Sequence, residues 1–204
     1  MITILDYGLG NVLAFANIYK RMNIPVNIAT SKNDLIKSSK LILPGVGSFD
    51  NAMQKLENSK MLPSIEKIVI EQGMPILGVC VGMQILSRSS DEGKLSGLGW
   101  IDANVKKFDI ASMPFRTCLP HMGWNDVAPC SDHTLFKGLE NDAQFYFLHS
   151  YYFECYERKN VMAETDYGGL FSCAVFKDNI YGVQFHPEKS HHYGNLLLKN
   201  FSEI

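Results

Sequence analysis

Pro75-Ile76-Leu77-Gly78-Val79-Cys80-Val81-Gly82-Met83-Gln84 decides how the rest of the chain is read. Pro75 to Val79 is an apolar run of strand length, and an apolar-rich helix is predicted from Met83 to Leu86. Between them stands G-x-C-x-G, the cysteine form of a turn in which a strand passes abruptly into a helix. Such a turn leaves little room, hence a glycine on each side. It exposes the central residue at the carboxyl edge of a parallel sheet, where ligands of open α/β sheets bind. A helix N-terminus behind the sulfur favours the thiolate, and the Val81 amide points toward an oxyanion formed by attack. A buried, inert cysteine in a tight turn has the same spelling, so the motif alone leaves both readings open.

Working outward, the first half alternates strands and helices. Ile2–Leu5 is apolar, Gly8-Leu9-Gly10 turns, and residues 11–22 place Val12, Phe15, Ile18, Tyr19 and Met22 on one helical face. Pro25–Ala29 and Lys40–Leu43 read as strands, the latter running into Pro44-Gly45-Val46-Gly47. Ser48 is placed to cap a helix over Phe49–Leu56, and a longer helix from Leu62 to Glu71 stops at Gly73. Alternation of this kind predicts a parallel sheet covered on both faces. The second half changes character: Trp100–Phe108, Gln144–Tyr151, Val161–Thr165, Cys173–Lys177 and Ile180–Phe185 look extended, and a helix closes the chain from Tyr193 to Phe201. With neither linker nor repeat, residues 1–204 are expected to form one α/β domain: a central, mostly parallel sheet flanked by helices, with additional antiparallel strands.

Composition narrows the function. Hydrophobic residues are 46% and charged residues 20%, ordinary for a globular protein. Nineteen Lys+Arg against 21 Asp+Glu give a net charge of -2 with no basic block, so nucleic acid has no electrostatic footprint. No apolar run reaches the ~20 residues that span a bilayer, and the opening residues, with Asp6, lack a signal peptide's basic region. A cytoplasmic location is the expectation. Five cysteines (80, 118, 130, 155 and 173), scattered without CxxC pairs, argue against a disulfide framework or a structural zinc site.

A base for the thiol is sought in Gly182-Val183-Gln184-Phe185-His186-Pro187-Glu188. In extended chain, residues two apart share a face, so His186 and Glu188 can line one wall with Pro187 stiffening the segment. A carboxylate there would orient the imidazole while its other nitrogen faces the thiol. A surface ion pair is the plainer alternative. His121, His133 and His149 are weaker candidates, and His186, His191 and His192 lack the spacing of a metal site.

Taken together, Pro44–Gly47, Gly78–Gln84 and Phe185–Glu188 resemble the class I, triad-type glutamine amidotransferases, and the likeness runs from Asp6-Tyr7-Gly8 to Leu198-Lys199-Asn200-Phe201. Pro120-His121-Met122-Gly123-Trp124-Asn125, His149-Ser150-Tyr151 and His186–Ser190 narrow it toward the branch serving histidine biosynthesis. The resemblance implies that Cys80 attacks the side-chain amide of L-glutamine, His186 shuttles protons and Glu188 orients it. It implies oxyanion donors at Val46, Gly47 and Val81, with the glycines beside Val46 easing a peptide flip. Gln84 and the backbone around Ser150 and Tyr151 would hold glutamine. Asn11, Trp124, Tyr146 and Lys189 would face a partner, a (β/α)8 synthase that receives the ammonia in a heterodimer. No cofactor or metal is implied. Val81, Ser89–Lys94, Gly97–Trp100 and Glu188–His192 look instead like a paralogous branch that feeds ammonia to amidination of a surface-polysaccharide sugar. A stand-alone cysteine hydrolase, such as a γ-glutamyl hydrolase, is the remaining alternative.

Overall fold

The computed structural model describes residues 1–111, 113 and 118–204. In chain order the elements are β1 (Ile2–Leu5), α1 (Val12–Arg21), β2 (Val26–Ala29), β3 (Lys40–Gly45), α2 (Phe49–Asn58), α3 (Leu62–Glu66), β4 (Ile76–Cys80) and α4 (Val81–Gln84). There follow β5 (Ser89–Ser90), β6 (Ala103–Lys107), β7 (His121–Asp126), β8 (Ala128–Pro129), β9 (Gln144–His149), β10 (Tyr151–Cys155), β11 (Val161–Asp166), β12 (Leu170–Lys177), β13 (Ile180–Val183) and α5 (His191–Glu203). Among the described residues no helix is long and apolar enough to cross a membrane.

The main sheet has the order β2-β1-β3-β4-β13-β12-β10-β6-β5, with β11 and β8 attached beside β12. Its β2, β1, β3, β4 and β13 are all parallel, and antiparallel pairing begins at β12. Apart from the half-buried edge strand β2, the parallel strands are buried on both faces, as their continuous apolar runs require: Ile4, Leu5, Leu41, Ile42, Ile76 and Leu77 are inaccessible to solvent. On α1 the buried face is Val12, Phe15, Ala16, Ile18 and Tyr19, while Met22 lies past the helix end and is half-buried.

Several features depart from the sequence reading. Gln144–Tyr151 is two strands, because the chain breaks at Ser150 and β10 leaves for the main sheet, while β9 pairs with β7 in a separate ribbon. Ser48 occupies the N-cap of α2 without capping it; the Phe49 amide donates instead to the Glu92 carboxylate at 2.8 Å. The helix after Cys80 is the single turn of α4, and it begins at Val81 rather than Met83.

Candidate active site

Three neighbouring parallel strands deliver the candidate residues to one edge. In register, Gly45 of β3 lies beside Cys80 of β4, and Val183 of β13 lies beside Val79. The residues just past β3, at the end of β4 and just past β13 are therefore Val46–Gly47, Cys80 and His186. They line a cavity of about 310 Å³ with Val81, Gln84, Glu92, Pro120, Leu148, His149, Ser150, Tyr151 and Lys189.

The turn at Cys80 is strained. Its φ of 55 and ψ of -114 lie outside the regions an L-residue prefers, costing on the order of 1–3 kcal/mol. What holds it is backbone in close contact. A Cβ on Gly82 would fall 2.0 Å from the Leu43 carbonyl oxygen, and one on Gly45 would fall 2.2 Å from the Gly82 amide nitrogen. Gly45 is thus demanded by packing against the elbow, beyond any freedom it gives Val46. Beneath the loop, the buried Tyr7 hydroxyl donates to the Pro44 carbonyl at 2.6 Å, and burial, then the nearby Cys80, pushes its ionisation far upward. With α4 only one turn long, a helix dipole contributes little at the sulfur. Contacts at the sulfur are the Gln184 amide, donating to it at 3.7 Å, the Leu148 carbonyl, which accepts from the thiol at 3.9 Å, and His186.

His186 and Glu188 meet, though not as neighbours along an extended strand. β13 ends at Val183, and Pro187–Lys189 forms a short 3-10 turn that folds Glu188 back. Glu188 Oε1 then lies 2.9 Å from His186 Nδ1, both side chains almost fully buried. Among the described residues, the second oxygen of Glu188 has no hydrogen-bond partner. Burial, the largest influence on His186, pushes it down; hydrogen bonds and charge from Cys80 and Glu188 overcome this and raise it to about 10. The turn is clamped to β9: the His186 amide donates to the Tyr146 carbonyl at 2.8 Å, while the Ser190 hydroxyl accepts from the Tyr146 amide at 3.0 Å and donates to the His186 carbonyl at 2.6 Å.

Gln84 is buried, and its amide nitrogen donates to the Tyr151 carbonyl at 3.2 Å and to Gln184 Oε1 at 3.0 Å. Ser150 and Tyr151 line the same cavity. Trp124 is no core aromatic: it is 46% exposed, stacks on His191 at 5.2 Å and faces Tyr146 across the β7–β9 ribbon. The Lys189 ammonium sits 5.6 Å above the Tyr146 ring. Asn11 is exposed at the N-cap of α1. Tyr7, Glu92 and Gln184 escaped the sequence reading; only the adjacency of Gln184 to Phe185-His186 gave a local signal.

The model of the family "Glutamine amidotransferase class-I" matches residues 3–203. The chain belongs to the class I glutamine amidotransferases. Members of this family hydrolyse glutamine, and the amidotransferase described here is similar along its whole length to proteins named imidazole glycerol phosphate synthase subunit HisH. It is 55% identical to that of Bdellovibrio bacteriovorus and 51% identical to that of Leptospira interrogans, with each alignment covering 100% of both chains. It is 41% identical to a subunit named HisH 2 of Pseudomonas aeruginosa, again over 100% of both chains. Among solved structures it resembles a glutamine amidotransferase (TM-score 0.76, 20% identity, 99% of this chain and 97% of that one) and PurLQS from Thermotoga maritima (TM-score 0.73, 16% identity, 99% and 97%). These last two likenesses speak for the amidotransferase fold alone.

Proposed function

We propose that this amidotransferase is the glutaminase subunit of an imidazole glycerol phosphate synthase, working in the cytoplasm as a heterodimer with a (β/α)8 synthase. The observation that carries the chemistry is the strained Cys80 on the cavity wall, with the buried His186–Glu188 pair beside it. The direction of the His186 shift supports a protonated imidazole held between Cys80 and Glu188. The thiolate attacks the side-chain carbonyl carbon of glutamine, forming the C–S bond and placing negative charge on oxygen. Val81, Val46 and Gly47 are the backbone donors assigned to that oxygen. His186 then gives its proton to the amide nitrogen, the C–N bond breaks and ammonia leaves. Water, losing a proton to His186, cleaves the thioester to glutamate and restores the thiolate.

Gln84, Ser150 and Tyr151 are proposed to hold the glutamine, and the fixed amide of Gln84 limits its own contribution to an Oε1 acceptor. Free ammonia is largely protonated at neutral pH and then no nucleophile, so it must pass directly to the partner. Trp124, Tyr146, Lys189 and Asn11 are proposed to face that partner, a role supported by the exposed aromatic cluster beside the cavity. The test is Cys80→Ser in the assembled heterodimer. Glutamine-dependent synthesis should vanish while synthesis from added ammonium persists; loss of neither overturns the assignment.

A second reading is ammonia supply to a sugar-amidinating enzyme; numbered names among the relatives, such as HisH 2 of Pseudomonas aeruginosa, mark more than one copy of such a subunit. The acceptor used by the co-purifying synthase separates the two.

A further inference from the structure

The mechanism uses one of six histidines, yet two others are buried beside it, and one of them, His149, lines the cavity. His121 on β7 and His149 on β9 are cross-strand partners, 4% and 6% exposed. The His121 ring stacks on Phe147 (4.8 Å between centroids) and Tyr167 (4.0 Å). His149 packs against Phe108, Phe147 and Phe171. His121 Nδ1 lies 2.9 Å from His149 Nε2, so one nitrogen donates and the other accepts.

The ends of the chain decide which. The Asn125 side chain donates through Nδ2 to the Asp166 carbonyl at 2.8 Å, and its second hydrogen faces His121 Nε2 at 3.3 Å. His121 Nε2 is then an acceptor, and the ring's proton sits on Nδ1, donated to His149 Nε2. The His149 proton is left on Nδ1, which lies 2.7 Å from the Tyr151 carbonyl, a group that can only accept. The polarity fixed at the Asp166 end is thus satisfied at the Tyr151 end. A second proton on either ring would set two donors face to face. Burial acts the same way, pushing His149 down to about 3 and His121 to about 4, so both rings are neutral.

Beyond Tyr151 the network continues to the nucleophile. The same carbonyl accepts from Gln84, which also donates to Gln184, whose own amide faces the Cys80 sulfur. We propose that His121 and His149 are positioning residues: as two neutral Nδ1–H imidazoles they lock the Tyr151 carbonyl, and through Gln84 and Gln184 the donor at Cys80, in the geometry glutamine needs. A neutral imidazole suits this post because it donates at one edge, accepts at the other and packs as a ring among aromatics. The inference rests on the glutaminase reading above.

The test compares His149→Asn with His149→Phe in the heterodimer, measuring KM and kcat for glutamine. Asparagine can place an N–H where Nδ1 was; phenylalanine fills the aromatic site better but donates nothing. KM should stay within about threefold for asparagine and rise about tenfold or more for phenylalanine, the equivalent of one buried hydrogen bond. A role in packing alone gives the reverse order, and phenylalanine equalling or bettering asparagine in folded complexes overturns the proposal. Nitrogen-15 NMR of the unmodified heterodimer decides the matter if a variant does not fold. Both rings should show a protonated Nδ1 and a bare Nε2, and a protonated Nε2 on either overturns it. Absence of glutaminase activity in the unmodified heterodimer would instead refute the underlying reading, which the NMR result does not touch.

Discussion

Replacing Glu188 with glutamine removes one charge and leaves the shape of the site nearly intact. The carboxylate oxygen is 2.9 Å from His186 Nδ1, with both side chains under 5% exposed. A hydrogen bond to an ionised acceptor is roughly twice as strong as a neutral one, so ~1 kcal/mol is lost there. Attraction between carboxylate and imidazolium centred ~4 Å apart is worth ~4 kcal/mol at an effective dielectric of ~20. Relief from burying a carboxylate returns part of this. A net loss of ~3–4 kcal/mol predicts kcat lower by about 100- to 1000-fold. Glu188 does not line the cavity, so KM for glutamine should move far less. The assay is glutamate release by the heterodimer under saturating glutamine, with cooperative melting as the check on folding. A folded Glu188→Gln complex keeping kcat within about fivefold of wild type would refute the assignment of Glu188 as the orienter.

Gly82→Ala forces a methyl group against the Leu43 backbone oxygen and should cost ~3 kcal/mol or more, read as a fall in melting temperature; a shift under ~2 °C contradicts the elbow packing. The depressed His149 makes stability depend on pH. Above its ordinary value of 6.5 the contribution is complete; as pH falls toward about 3 the unfolded chain takes a proton that the folded chain refuses. Unfolding free energy should therefore drop by about 1.4 kcal/mol per pH unit in that window, with His121 acting in the same direction, and denaturant titrations that show no such slope refute it. Trp124→Ala removes the exposed ring between Tyr146 and His191 and should weaken synthase binding by about 30-fold, the scale of an aromatic hot spot. Calorimetric titration giving an unchanged Kd removes Trp124 from the interface.

Residues close in the chain carried their meaning in the sequence. Glycines on both sides of Cys80 reflect a turn whose crowding is local, and the apolar runs of β1, β3 and β4 had to be strands buried on both faces. His186 and Glu188 were legible as a pair although the reason was different: a 3-10 turn, not an extended strand, brings them together. Only the tertiary structure decided that β13 lies parallel to β4, which carries His186 to Cys80 from more than half the chain away. It likewise decided the break at Ser150, the Tyr7–Pro44 and Glu92–Phe49 bonds and the path from Asn125 through two histidines toward the sulfur. Periodicity and turn chemistry report on a few neighbouring residues, whose backbone sterics are settled locally. Which distant strand fills the place beside β4 depends on register and packing summed over the whole sheet, and no short stretch of sequence holds that sum.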